Sequence, residues 1–179
     1  MTTTKLALGS GGATDWLRRC GYVTLDADPA TGADIIAEAP PLPDLGPLEL
    51  VEAYHFWEHL YWWQAEELAK QIYTALIPGG KLVLEMPDLT KCCRFLLGLD
   101  KLPMKETAPY FPDPRFTTWG IYGAQDDPKW TGNIRQTHKW GYTPKTIREQ
   151  LERAGFGKIV FADPHTGQPE RDMRVEATR

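Results

Sequence analysis

Four short stretches of this chain carry residue types whose chemistry depends on where the fold places them. Gly9-Ser10-Gly11-Gly12 follows a brief apolar run. Glycine tolerates positive φ and has no side chain, so a turn built from it lets backbone approach a ligand closely. The N–H groups that open a following helix can then hold a polar or anionic group. Asp26 closes the next apolar run. A carboxylate there can accept hydrogen bonds from both hydroxyls of a ribose. His55, with Glu58-His59 just after it, is the third stretch. A neutral imidazole at a strand end could take a proton from a nucleophile near pH 7. Glu58 and His59 read as the N-terminal pair of a helix, where the dipole favours a carboxylate. No second histidine follows at HExxH spacing, so no metal ligand set is expected there. The fourth stretch is His138-Lys139, and His138 is the second candidate base.

The elements that must position these groups can be read from the pattern. Lys5–Leu8 and Tyr22–Leu25 are short strands, Ala33–Ala37 is a third and Leu50–Phe56 a fourth. The proline-rich stretch 40–47 is a loop, because proline removes donors and restricts its neighbours. Ala65, Leu68, Ala69, Ile72 and Leu76 recur at helical spacing, which predicts a helix over 60–76. Pro78-Gly79-Gly80 stops it, and Lys81–Met86 is the fifth strand. Asp88 is a candidate cap for a helix over Lys91–Leu97.

Residues 98–142 are rich in proline, glycine and aromatics without a clean period, and read as an irregular insertion. Tyr110, Phe111, Phe116, Trp119, Tyr122, Trp130, Trp140 and Tyr142 would pack as a small satellite core or wall a substrate site. Thr143-Pro144 is an N-cap with proline at the first helical position. Ile147, Leu151 and Ala154 line that helix, and Gly155 ends it. Lys158–Ala162 and Met173–Ala177 are the last strands, joined by a hairpin connection at 165–170. Alternating strands and helices predict a doubly wound α/β fold, with a seven-stranded, mostly parallel sheet and an antiparallel last strand.

At 179 residues the chain suits one domain with the insertion at about 98–142. The net charge of −4 supplies no global positive field for a nucleic acid backbone. Cys20, Cys92 and Cys93 form no CxxC pair, which fits a reducing cytoplasm without zinc or disulfides. No run of about 20 apolar residues predicts a membrane span. Adjacent Trp62 and Trp63 cannot both face one side of a helix, so one is expected exposed, where it could mark a homodimer surface. Arg171, Arg174 and Arg179 read most simply as a solvated edge.

Taken in order, Leu8-Gly9-Ser10-Gly11-Gly12, Leu25-Asp26-Ala27-Asp28-Pro29, the run 54–60 containing Glu58-His59-Leu60, and Ile77-Pro78-Gly79-Gly80-Lys81-Leu82 resemble class I S-adenosylmethionine-dependent methyltransferases. The likeness is to the compact branch often called type 11, and it covers nearly the whole chain. It implies a Rossmann-like fold, S-adenosylmethionine as cofactor with S-adenosylhomocysteine as product, and methyl transfer to an unidentified acceptor.

The resemblance also implies residue roles. Gly9, Ser10 and Gly11 would lie beneath the methionine part, Asp26 would hold the ribose with Ala27 beside the adenine, and Glu38-Ala39 would sit near the adenine amino group. Tyr54 and His55 would stand where cofactor meets substrate. Tyr122-Gly123 and His138-Lys139 match a turn and a later pair in similar proteins. Ala7 departs from the acidic residue common two places before the first glycine, and the chain begins almost at the first strand. These departures motivate the alternative of a catalytically degenerate binding or scaffold protein. A nicotinamide-dependent oxidoreductase would want glycine where Thr14 stands.

Overall fold

The computed structural model describes residues 4–101, 116–123, 136–166 and 168–179. In chain order the strands are β1 (Thr4–Leu8), β2 (Tyr22–Asp26), β3 (Ile35–Ile36), β4 (Leu48–Tyr54), β5 (Leu76–Pro87), β6 (Lys158–Ala162) and β7 (Asp172–Thr178). The helices are α1 (Thr14–Arg19), α2 (Trp62–Ala75), α3 (Leu89–Leu96), α4 (Phe116–Tyr122) and α5 (Pro144–Ala154). The sheet runs β3-β2-β1-β4-β5-β7-β6. Its first four pairings are parallel, and β7 pairs antiparallel with both neighbours.

Strand composition explains strand position. Leu6, Ala7 and Leu8 of β1 are all buried, as is the run 82–86 of β5. Continuous buried runs, apolar except for Glu85, suit strands covered on both faces, and these lie in the middle of the sheet. The edge strand β6 alternates exposed and buried residues over Lys158–Val160. Ala65, Leu68, Ala69 and Ile72 of α2 and Ile147, Leu151 and Ala154 of α5 are buried against the sheet core. Each large aliphatic side chain buried this way contributes about 1.5–3 kcal/mol.

The caps predicted from sequence are made. Thr143 Oγ1 accepts from Thr146 N at 3.2 Å with Pro144 at the first turn, and Asp88 Oδ1 accepts from Thr90 N at 2.8 Å. Gly155 ends α5 at φ +112°, and a Cβ there would stand 2.9 Å from the Tyr73 ring.

Several expectations change. The Pro-Gly-Gly turn lies inside β5, whose pairing with β4 shifts register between Leu48 and Leu50. Trp62 and Trp63 are both exposed, with Trp63 stacked on Tyr61 at 4.6 Å between ring centroids. Of the arginines near the C-terminus, Arg179 is exposed as expected, but Arg171 and Arg174 are not a solvated edge: β7 lies inside the sheet, and both are buried and paired, with Asp172 and Glu85 at 2.7 Å. Of the insertion aromatics, Tyr142 is buried, Trp119 is half-buried, and Tyr122 and Trp140 are exposed. Tyr110, Phe111, Trp130 and the Phe116 side chain lie outside the described residues. No described helix is long and apolar enough to cross a membrane.

Candidate active site

Strand order reverses between β1 and β4, and a crevice opens there beyond their carboxyl ends, where open α/β sheets bind ligands. Gly9 ends β1 at φ +66° and donates its N–H to Leu25 O at 2.8 Å. Phe56 packs so closely against it that a Cβ at Gly9 would stand 2.7 Å from the Phe56 ring. Gly11, at φ +48°, donates to Asp26 Oδ2 at 2.8 Å, while Asp28 N donates to Oδ1 at 2.9 Å. An ionised carboxylate has about four lone-pair positions, so each Asp26 oxygen keeps capacity for a ligand hydroxyl. Ala37 N bonds Asp26 O at 3.0 Å, which brings Glu38-Ala39 round to the same side.

The resulting cleft is lined by Gly9, Gly11, Asp26, Ala27, Glu38, Ala39 and His55, all expected from sequence. It also takes in Lys139 of the fourth stretch, together with Ala37, Phe56, His59, Leu60 and Gln136, which the sequence did not assign to it. Ser10 and Tyr54 are not in its lining. Ser10 Oγ is turned inward to Thr14 Oγ1 at 2.9 Å, and Thr14 donates to Gly11 O at 3.0 Å, so both support the turn from behind. Tyr54 is half-buried, with its hydroxyl 3.5 Å from Arg174 Nη1, and burial first of all pushes its pKa up to about 12.

A larger cavity of about 470 Å³ lies under the loop 41–46 against the C-terminal half of α2. It borders the start of β4, the opposite end of the sheet. Its polar groups are engaged with one another: Gln71 accepts from Leu42 N at 2.7 Å and donates to Glu67 at 2.9 Å, and Lys70 pairs with Glu66. The crevice at the carboxyl ends is therefore the candidate site.

His55 stands at φ +50°, and its N–H donates to Glu85 O at 2.8 Å, so the backbone turns the ring into the cleft wall. Its Nδ1 lies 3.2 Å from Glu58 Oε1 and its Nε2 3.4 Å from Asp172 Oδ2. Burial alone would depress its pKa, but the two carboxylates reverse this and raise it to about 10. The ring therefore carries its proton near pH 7 and has no lone pair to act as a base. It offers a fixed positive charge at the cleft instead. Burial would raise the Glu58 pKa, but the protonated His55 ring beside it holds the carboxyl well below its usual range.

His138 belongs to the wall behind the cleft rather than to its lining. Its Nδ1 faces Gly120 O at 3.3 Å, and its ring meets His59 edge-on at 4.8 Å between centroids. Burial lowers its pKa to about 4, so it is neutral. The Tyr122-Gly123 turn holds it, since His138 N donates to Tyr122 O at 3.2 Å and Gly123, at φ +77°, packs against Gln136 O without room for a Cβ. Glu58 and His59 lie in a 3-10 turn before α2, not in its first turn, and Glu58 is buried.

No family model and no curated protein matches the chain. Solved structures do. A methyltransferase from Archaeoglobus fulgidus, described as dependent on S-adenosylmethionine, superposes with TM-score 0.61 at 16% identity, over 99% of this chain and 86% of that one. The N-methyltransferase NodS of Bradyrhizobium japonicum, solved with S-adenosylhomocysteine, gives 0.57 at 13%, over 98% and 77%. A candidate O-methyltransferase from Nostoc punctiforme gives 0.56 at 15%, over 98% of this chain, which spans about half (51%) of that protein. In its sheet order, its antiparallel β7 and its likeness to these structures, the chain has the Rossmann-like fold of class I S-adenosylmethionine-dependent methyltransferases.

Proposed function

We propose that this protein binds S-adenosylmethionine in the crevice between β1 and β4 and transfers its methyl group to an acceptor. The observation that carries this reading is the joining of the glycine turn to Asp26: Gly9, Gly11, Asp26 and Glu38-Ala39 line one cleft at the carboxyl ends of the strands. The residues present fit the group. Asp26 has acceptor capacity for ribose hydroxyls, and among the described residues no atom lies within 4 Å of a Cβ built on Gly11, so space stands open above the turn.

When bound, S-adenosylmethionine supplies a methyl group already activated on a sulfonium. The chain's task is then chiefly alignment of donor and acceptor. Asp26 orients the ribose, and the backbone of Gly9 and Gly11 supports the methionine part. Charged His55, fixed between Glu58 and Asp172, stands beside the acceptor side of the cleft, where it orients an anionic or hydrogen-bond-accepting group. Thr14, in place of a third glycine, disfavours a dinucleotide. Three free cysteines, one of them buried, suit a reducing cytoplasm.

Calorimetric titration with S-adenosylmethionine, S-adenosylhomocysteine and NAD tests the reading. Micromolar binding of the two adenosyl ligands and none of NAD is the expected result. Absence of adenosyl binding would sink it.

A further inference from the structure

The wall of the cleft brings together three side chains, none of which alignment of a methyl donor places against the donor itself. Glu58 and His59 share one turn, and His138 arrives from far along the chain. It is held there because Lys139 N and Trp140 N both donate to Glu58 O, at 2.8 and 3.2 Å. One donor atom from each residue lies within 4.8 Å of the other two.

The chemistry of these atoms is alike. His59 Nδ1 faces Thr137 O at 3.2 Å and His138 Nδ1 faces Gly120 O at 3.3 Å. A carbonyl only accepts, so each Nδ1 is the donor and each Nε2 is the ring nitrogen turned away from it that could serve as a ligand. A carbonyl behind the ring is the support that fixes the tautomer of a metal-ligating histidine. Glu58 Oε1 takes His55 Nδ1, whereas Oε2 is buried with no hydrogen-bond partner among the described residues. His138 Nε2 stands 3.9 Å from Glu58 Oε1, and the second oxygen of that carboxylate is left for a further partner. Leaving a buried acceptor unsatisfied costs about 1–3 kcal/mol, more for a charged group, and a cation would satisfy all three residues together.

We propose that Glu58, His59 and His138 hold a divalent transition-metal cation of the zinc class in the wall of the cleft. Two imidazoles and one carboxylate form a three-ligand set that leaves a coordination position open. Imidazole ligands favour zinc, cobalt or iron over magnesium and calcium, which take oxygen. Metal–ligand bonds of about 2.1 Å would set the donor atoms about 3.4 Å apart, so side-chain rotations of about 1 Å close the site. His59 lines the cleft, which puts the open position toward the cavity. An acceptor hydroxyl bound there would have its pKa lowered and lose its proton to water. That last role rests on the methyl-transfer reading, whereas the cation site itself does not.

The test is titration of chelator-stripped protein with Co2+, followed by visible absorption, with Zn2+ as competitor. The expected result is one equivalent per chain, ligand-field bands that Zn2+ abolishes, and roughly tenfold or greater loss of affinity in each of His59→Gln and His138→Gln. His165→Gln, an exposed histidine elsewhere, serves as the control and should bind as the parent does. No binding, or binding equally tight in both wall variants, overturns the site. X-ray absorption on the loaded parent protein needs no variant to fold: two imidazoles per metal supports the site, and any other count overturns it. S-adenosylhomocysteine is titrated into the same samples. Metal binding without nucleoside binding removes the methyl-transfer reading alone, and the reverse removes the metal site alone.

Discussion

Gly11 donates its N–H to Asp26 Oδ2 across 2.8 Å, so the ligand-facing ends of β1 and β2 are one hydrogen-bonded unit. Asp28 N uses the other oxygen. Replacing Asp26 by Ala strands both N–H groups and should lower stability by about 1–3 kcal/mol. Asp26→Asn keeps one oxygen and separates folding from binding. Its thermal midpoint should fall by only a few degrees, while affinity for S-adenosylhomocysteine falls about tenfold or more, the equivalent of about 1.4 kcal/mol. Unchanged affinity in a folded Asp26→Asn protein would show that the carboxylate does not hold the ribose.

Gly9 is constrained twice. Its φ of +66° is strained for any residue with a Cβ, by about 1–2 kcal/mol, and a Cβ would also stand 2.7 Å from the Phe56 ring. Overpacking adds about 1–3 kcal/mol. Gly9→Ala should therefore lower the unfolding midpoint in urea by an amount equivalent to about 2 kcal/mol or more, and weaken adenosyl binding. Gly12 has neither constraint, since its φ is not positive and nothing among the described residues lies within 4 Å of a Cβ there. Gly12→Ala is the comparison, with little change in the same measurement.

Local rules made the α/β alternation, the caps on α3 and α5 and the glycine-turn side of the cleft legible. Each depends on residues close in sequence, such as the glycine turn after β1 or Thr143-Pro144 before α5. What escaped depends on partners far along the chain. His55 reads as a neutral base until β7 sets Asp172 beside it. Glu58-His59 reads as a helix start until the segment at 137–140 folds over it. Arg174 reads as exposed because spacing does not reveal that β7 inserts between β5 and β6. Ser10 matches the glycine motif, yet its hydroxyl bonds Thr14 instead of facing the cleft.

Glu85 is fully buried in β5 and takes four donors: His165 N at 2.8 Å, Thr166 N at 2.9 Å, Thr166 Oγ1 at 2.5 Å and Arg174 Nη1 at 2.7 Å. Burial alone would raise its pKa, but these donors hold it below the ordinary carboxylate value. A depressed folded pKa contributes stability above the unfolded pKa, and that stability is lost as pH falls through the folded one. Urea denaturation at a series of pH values should show stability falling below about pH 5. Glu85→Gln should flatten that slope and cost about 3–5 kcal/mol at neutral pH, because Arg174 loses its buried partner. An unaltered slope would place the acid sensitivity elsewhere.

Trp57 ties the turn carrying Glu58 and His59 to α5. It is fully buried, and its Nε1 donates to Gln150 Oε1 at 3.0 Å, while Gln150 Nε2 donates to Trp62 O at 3.3 Å. Gln150 thus clamps the turn and the start of α2 at once. Trp57→Phe leaves Gln150 Oε1 buried without its donor and opens a void where the indole stood. Together these should cost about 2–4 kcal/mol in urea denaturation. Trp57→Phe combined with Gln150→Leu removes both polar partners, so the double variant should lose less than the sum of the single losses. The difference measures the coupling. Additive losses would mean that the hydrogen bond contributes nothing and that the turn is held by packing of the indole alone.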